Sequence, residues 1–258
     1  MNIGFFDSGL GGLIILDAVR RHMPEYDYLF FGDTANLPYG DKSEEEIHAL
    51  TYGGIKQLFD AGALIVIVAC NTASSASVRK HQDDMLRREY PDRKLLGVII
   101  PTVEELDKSE SDHTLLIGTE RTVSSRKYEI ELKKIDPTFT LLSHATPALV
   151  PLIESGDIAS ACTKVTELLT STYPHINTLV LGCTHYTLLK ECLRAALRGV
   201  TVISQDEIIP QKLHDYLRHH PEIEGRLSKQ GSIDIHLSAE NPRYDMIRTT
   251  IRNLEPKS

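Results

Sequence analysis

The apolar positions of this chain follow two alternating rhythms. Short continuous runs are separated by longer stretches in which apolar residues return every three or four positions. The continuous runs suit strands buried on both faces, and the amphipathic stretches suit helices that cover them. The strand candidates, in chain order, are IGFF, DYLFFG, ALIVIVA, LLGVII, TLLIGT, FTLLSH, TLVLGC and TVIS. The clearest helix start is SEEE at 43–46. There Ser43 can cap the helix, Glu46 can return a bond to the cap's own N–H, and Gly62 ends the stretch that follows. Strand and helix alternating through short connections predict an α/β fold with mainly parallel sheets.

Two segments stand out as places where one unit could give way to another: VIIPTVEELDKSESDH at 98–113 and ISQDEIIP at 203–210. A weak internal echo supports two units. Near 70 and again near 183 a strand runs into Cys, a turn containing Thr, and a helix. Composition is compatible with this, since 258 residues at 41% hydrophobic content can bury one large core or two smaller ones.

Charge narrows the partners. The formal net charge is −8, and no basic cluster of the kind that follows a phosphate backbone occurs, so nucleic acid is not expected as the main partner. The start, MNIGFFDSGLGG, has no basic region before its apolar run, and no stretch approaches membrane-span length. A cytoplasmic protein without membrane contact is therefore expected. On the same reasoning the four cysteines are expected to be reduced thiols, with Cys162 and Cys192 as packing residues inside helical patterns.

Cys70 and Cys183 have a different setting. Each ends an apolar run and opens a polar, helix-like stretch, which places it at a strand's carboxyl end, where open α/β sheets bind ligands. A helix N-terminus lowers a thiol's pKa, so both are expected to ionise readily, and Asn71, Thr72, Thr184 and His185 add donors suited to a carboxylate. A buried cysteine is often only a small apolar residue, but two in matching settings weaken that reading. Zinc is not supported, because Cys183-x-His185 is not a usual ligand pair and no C-x-x-C supplies the rest. A cysteine hydrolase built on Cys183 would leave Cys70 idle. The glycine stretch DSGLGG at 7–12 is not G-x-G-x-x-G, so a dinucleotide site is not supported either. Asp7 and Ser8 instead occupy a strand's carboxyl end like the thiols, with glycines permitting close approach, and DTANLPYG at 33–40 is a loop on the same edge.

Taken together, FDSGLGG, GDTANLPYG, ACNTASS, IGTERTVSS and VLGCTHYTLL resemble the aspartate/glutamate racemase family over nearly the whole chain, in the right order. LGCTHY with ACNT is the specific part, and His185 after Cys-Thr resembles the glutamate-acting branch. The resemblance implies two flavodoxin-like domains, 1–97 plus 208–258 and 98–207, facing each other across an active-site cleft. It implies interconversion of L- and D-glutamate by two cysteine bases without cofactor or metal, in a cytoplasmic homodimer that supplies D-glutamate for peptidoglycan. In the family, the cysteine matching Cys70 acts as base toward D-glutamate and that matching Cys183 toward L-glutamate. Asp7 resembles the carboxylate assisting the first, His185 and Glu154 the groups assisting the second, and Asp33 a further acid lining the site. Ser8, Tyr39, Gly40, Asn71, Thr72 and Thr184 resemble the residues that hold the substrate's carboxylates and ammonium. The chain departs from many members at Thr146-Pro147, where Cys-Pro is common, and at Ile100-Pro101, where Glu-Pro is common. A binding module would not need both thiols. Aspartate or another dicarboxylate stays open as a substrate on the sequence alone.

Overall fold

Two parallel sheets, each covered by helices, organise the computed structural model, which describes residues 1–109, 111 and 113–240. The chain begins with β1 (Asn2–Asp7), α1 (Gly12–His22), β2 (Tyr28–Gly32), α2 (Glu44–Asp60), β3 (Ala63–Val68), α3 (Asn71–Asp83), α4 (Met85–Arg88) and β4 (Lys94–Gly97). It continues with α5 (Ile99–Lys108), β5 (Thr114–Gly118), α6 (Glu120–Ser124), α7 (Lys127–Ile135), β6 (Leu141–Ala145), α8 (Leu149–Glu154), α9 (Ile158–Thr172) and β7 (Thr178–Gly182). A 3-10 segment, Thr184–Leu189, leads into α10 (Lys190–Ala196), followed by β8 (Thr201–Ile203), α11 (Gln205–His219), α12 (Pro221–Glu224) and β9 (Ile233–Leu237).

The first sheet has the order β4-β3-β1-β2-β9 and the second β6-β5-β7-β8. Numbered within its own half, each contains the order 2-1-3-4, so in each the strand order reverses between the first strand and the third. Loops leaving the carboxyl ends of those two strands diverge to opposite faces and leave a crevice between them. Cys70 follows β3 and Cys183 follows β7, the third strand of each half. The echo between 70 and 183 is therefore a repeated topology with each thiol at the same switch point.

Local chemistry explains the elements. β1, β3, β5 and β7 are buried along nearly their whole length, as their continuous apolar runs require. Ser43 and Glu46 form the reciprocal capping box that starts α2, and Gly62 leaves it at φ +101°, a conformation that glycine adopts without Cβ strain. The run LLGVII is not one strand: β4 ends at Gly97 and α5 starts at Ile99, whose buried face, Ile99, Val103 and Leu106, has helical spacing. β9 escapes the apolar-run criterion because it is a largely exposed edge strand, paired with β2 alone.

α5 occupies Ile99–Lys108 of the first marked boundary segment and α11 begins at Gln205 within the second, and both crossings bridge two cores. Val98 packs in the core under the first sheet and Ile99 in that under the second, while Ile208 packs in the second and Ile209 in the first. α11 runs through Pro210 rather than stopping there. A proline inside a helix removes one backbone hydrogen bond, and burial of Ile208, Ile209 and Leu213 in the two cores offsets that loss.

The expectation of four reduced cysteines is corrected. Cys70 and Cys183 are free, but Cys162 on α9 and Cys192 on α10 form a disulfide with Cα atoms 6.4 Å apart. The two residues also pack against the second sheet's core, as their helical patterns suggest. Among the described residues no helix is long and apolar enough to cross a membrane.

Candidate active site

The site is assembled from strand ends. Asp7 ends β1, Cys70 follows β3 as the N-cap of α3, Thr119 follows β5, and Cys183 follows β7. Cys70 Sγ accepts from the Ala73 N–H at 3.4 Å and lies 3.2 Å from Ser8 Oγ. The glycines of DSGLGG let this layer close. A Cβ at Gly11 would stand 2.4 Å from Thr184 Oγ1, and one at Gly12 would stand 2.7 Å from the Asp7 Cβ, so no larger residue fits at either place.

A cavity of about 80 Å³ lies between the two sheets with both thiols in its wall. Of the residues singled out in the sequence, Ser8, Tyr39, Gly40, Cys70, Asn71, Thr72, Cys183, Thr184 and His185 line it. Asp7, Asp33 and Glu154 stand behind that lining. The Asp7 carboxylate accepts from the Gly9 N–H at 3.1 Å and from the Thr184 hydroxyl at 3.5 Å, which joins the first half of the chain to the second. Asp33 is a loop-organising acid: it accepts from Tyr39 Oη at 2.7 Å, Asn36 Nδ2 at 2.9 Å and Ser238 Oγ at 2.8 Å, and so holds the Tyr39 ring in the cavity wall. Glu154, the last residue of α8, reaches within 3.2 Å of His185 Nε2, while His185 Nδ1 lies 3.8 Å from Cys183 Sγ.

The two thiols have unlike surroundings. Burial, aided by the nearby Asp7 charge, pushes the Cys70 thiol up to about 12, against the pull of the Ser8 hydroxyl and the Ala73 N–H. The expected lowering at the helix N-terminus is thus overturned at Cys70, because desolvation of a fully enclosed sulfur outweighs one turn of helix dipole. Burial alone would lower His185, but its contacts with Cys183, Glu154 and the more distant Asp7 raise it to about 10. The Asp7 carboxyl is itself raised by burial, which exceeds the lowering by His185 and by the Gly12 and Gly9 N–H groups.

The cavity also has residues that sequence reasoning passed over. Thr119, Glu120, Pro147, Val150 and Pro151 complete its wall from the second half. Thr72 Oγ1 lies 2.9 Å from Thr119 Oγ1, and the Arg121 guanidinium donates to the Lys42 carbonyl at 2.7 Å, so polar contacts span the crevice. The signal for Thr119 was available: IGTERTVSS places it one residue past a strand's carboxyl end, as with Cys70 and Cys183. Thr146, one of the departures from the family pattern, bonds Tyr186 through its hydroxyl at 2.8 Å and accepts from the same phenol through its carbonyl at 2.9 Å. It anchors the 3-10 segment that carries Thr184 and His185.

Two sheets that repeat one topology, each delivering a thiol to a shared cavity, have the architecture of the class that the motifs resemble, the aspartate/glutamate racemases. No protein-family model matches the chain. Glutamate racemase of Dinoroseobacter shibae is 36% identical over 246 residues, covering 90% of this chain and 89% of that protein. Among solved structures, glutamate racemase isoform RacE1 from Bacillus anthracis superposes with a TM-score of 0.86 at 29% identity, covering 98% of this chain and 94% of that one. Glutamate racemase from Francisella tularensis, solved in complex with D-glutamate, gives 0.83 at 25% identity, covering 99% and 95%. The chain belongs to the glutamate racemase family.

Proposed function

We propose that the protein interconverts L- and D-glutamate by a two-base mechanism with Cys70 and Cys183 on opposite faces of the α-carbon and no cofactor. The observation that carries this reading is the pair of free, buried thiols in one small cavity, each following the third strand of its own sheet. Racemisation removes a proton from one face of a carbon and returns one to the other, and two acid/base groups on opposite faces do this without turning the substrate.

From L-glutamate, the Cys183 thiolate takes the α-proton and becomes a thiol. Cys70 delivers its own proton to the opposite face and becomes a thiolate. From D-glutamate the roles exchange. A Cys70 thiol pushed up to about 12 is protonated at neutral pH and is ready as the donor in the first direction. His185, between Cys183 and Glu154, supplies positive charge beside the second sulfur, and Asp7 serves the first as proton acceptor when Cys70 must ionise. The substrate's carboxylates meet the hydroxyls of Ser8, Thr72 and Thr184, the Asn71 amide and the first-turn N–H groups of α3, which have no intrahelical acceptor. These placed donors, aimed at the charge that develops in the transition state, stabilise the carbanion.

The same reading takes 1–97 plus 208–258 and 98–207 as the two domains, and 241–258 lie outside the described residues. The change of core membership between 98 and 99 and between 208 and 209 supports these limits to within one residue. A cytoplasmic homodimer that supplies D-glutamate for peptidoglycan belongs to the reading through the family resemblance. The test is circular dichroism of each glutamate enantiomer with purified protein and no added cofactor, with aspartate as the control. Both glutamate signals should decay to zero and those of aspartate should persist. A stable signal from either glutamate enantiomer would refute the assignment.

A further inference from the structure

Asn71 follows Cys70 directly and lines the cavity, yet its side chain is locked from behind by residues of the other half of the chain. Its Nδ2 donates to Gln205 Oε1 at 2.8 Å, and Gln205 Nε2 donates back to Asn71 Oδ1 at 2.8 Å, a reciprocal amide pair. Tyr128 Oη donates to the same Asn71 oxygen at 2.6 Å and accepts from Gln205 Nε2 at 2.9 Å. Thr102 Oγ1 lies 3.4 Å from Gln205 Nε2. All four side chains are buried. Buried polar groups that satisfy one another rigidify the site that they share.

The four come from different elements: Asn71 from α3, Thr102 from α5, Tyr128 from α7 and Gln205 from the start of α11. α5 and α11 are the two segments by which the chain crosses between the sheets. The amide pair therefore ties the residue beside Cys70 to both crossings. With Oδ1 receiving two bonds and one Nδ2 hydrogen given to Gln205, the second Nδ2 hydrogen is left for the cavity. That is a donor in a set orientation.

We propose that Gln205, backed by Tyr128, is a positioning residue that fixes the Asn71 amide so that its remaining N–H faces bound substrate. It touches no substrate itself and acts through Asn71. The proposal rests on the racemase reading above, in which Asn71 holds a substrate carboxylate. If the Asn71 contact is equally strong in the ground and transition states, disturbing it raises KM and leaves kcat nearly unchanged.

The experiment is steady-state racemisation in both directions by wild type, Gln205→Met, Tyr128→Phe, Asn71→Ala and the Gln205→Met/Asn71→Ala double variant. Methionine keeps the length of glutamine and loses the amide, and phenylalanine keeps the ring and loses only the hydroxyl. Loss of one hydrogen bond to a charged group predicts a KM increase of roughly tenfold for both enantiomers in Gln205→Met, and a smaller one in Tyr128→Phe. kcat should stay within about threefold of wild type. In the double variant the Gln205 change should add nothing to Asn71→Ala, as for residues that act through one contact. Wild-type KM in Gln205→Met, or losses that simply multiply with those of Asn71→Ala, would overturn the proposal. If Gln205→Met does not fold, Tyr128→Phe decides: an unchanged KM overturns the proposal and a raised KM supports it. Absence of racemisation by the wild type would instead remove the underlying reading, so the two failures are distinct.

Discussion

His185 Nδ1 lies 3.8 Å from Cys183 Sγ and Nε2 of the same ring lies 3.2 Å from Glu154, whereas the near polar neighbour of Cys70 Sγ is the Ser8 hydroxyl at 3.2 Å. The two sulfurs are equivalent in topology and unlike in chemistry. One has an imidazole and a carboxylate in line behind it, and the other has a hydroxyl with the Asp7 carboxyl deeper in the fold.

That asymmetry predicts uneven kinetics. His185→Asn should slow proton abstraction from L-glutamate more than from D-glutamate, and Asp7→Asn should do the reverse. Each loss should fall within the roughly 10²- to 10⁴-fold range of general acid–base assistance. Substrates deuterated at the α-carbon resolve the two abstraction steps. Equal losses for both enantiomers in either variant would contradict the division of labour. The overall equilibrium cannot move, since the products are mirror images.

Stability should fall on the alkaline side. Folding raises His185 to about 10, so above about 6.5, where an unfolded histidine loses its proton, the folded state binds more protons than the unfolded one. The stabilisation from His185 is fully present below about pH 6.5 and is lost as pH rises through 10. Cys70, raised from 9.0 to about 12, acts in the same direction at higher pH. Urea midpoints measured from pH 6 to pH 10 should therefore decline in wild type and decline less in His185→Gln. Parallel profiles would show that the imidazole gains no proton affinity on folding.

The disulfide predicts a response to reductant. Cys162 and Cys192 are 30 residues apart, and closing a loop of that size removes unfolded-state entropy equivalent to about 3–4 kcal/mol. Reductant should lower the Tm of wild type and leave that of Cys162→Ser/Cys192→Ser unchanged. Peptide mapping after alkylation without reductant should label Cys70 and Cys183 but not the other two. Labelling of all four would contradict the pairing.

The fold and the placement of the two cavity thiols were legible for different reasons. Strands such as ALIVIV and TLVLG are buried on both faces, so their apolar runs are continuous and their ends are sharp, and the ends locate Cys70 and Cys183. β9 was not legible, since IDIHL is an exposed edge whose pairing with β2 depends on a partner some 200 positions away in sequence. The disulfide was hidden because it depends on α9 and α10 lying side by side, which neither helix's own pattern specifies. Asp33 shows how a motif can mark a residue without giving its geometry: it belongs to the loop that closes the cavity, but its oxygens are directed at Tyr39, Asn36 and Ser238. Gln205 and Tyr128 gave no signal, because a single buried glutamine or tyrosine looks like any other until its partner is known.

The claim that Cys70 and Cys183 face opposite sides of one carbon is tested most directly by separating proton removal from proton return. Elimination of HCl from 3-chloroglutamate needs one base: the α-proton leaves to a thiolate, the electron pair forms the carbon–carbon double bond, and chloride departs from the neighbouring carbon. Serine nearly matches cysteine in size, but its hydroxyl is a far weaker acid and does not serve as such a base. Cys70→Ser should lose racemisation and elimination from the substrate of D configuration at the α-carbon while keeping elimination from its L counterpart. Cys183→Ser should show the opposite preference. Elimination from the same enantiomer by both variants, or racemisation at the wild-type rate by either, would contradict the two-thiol account.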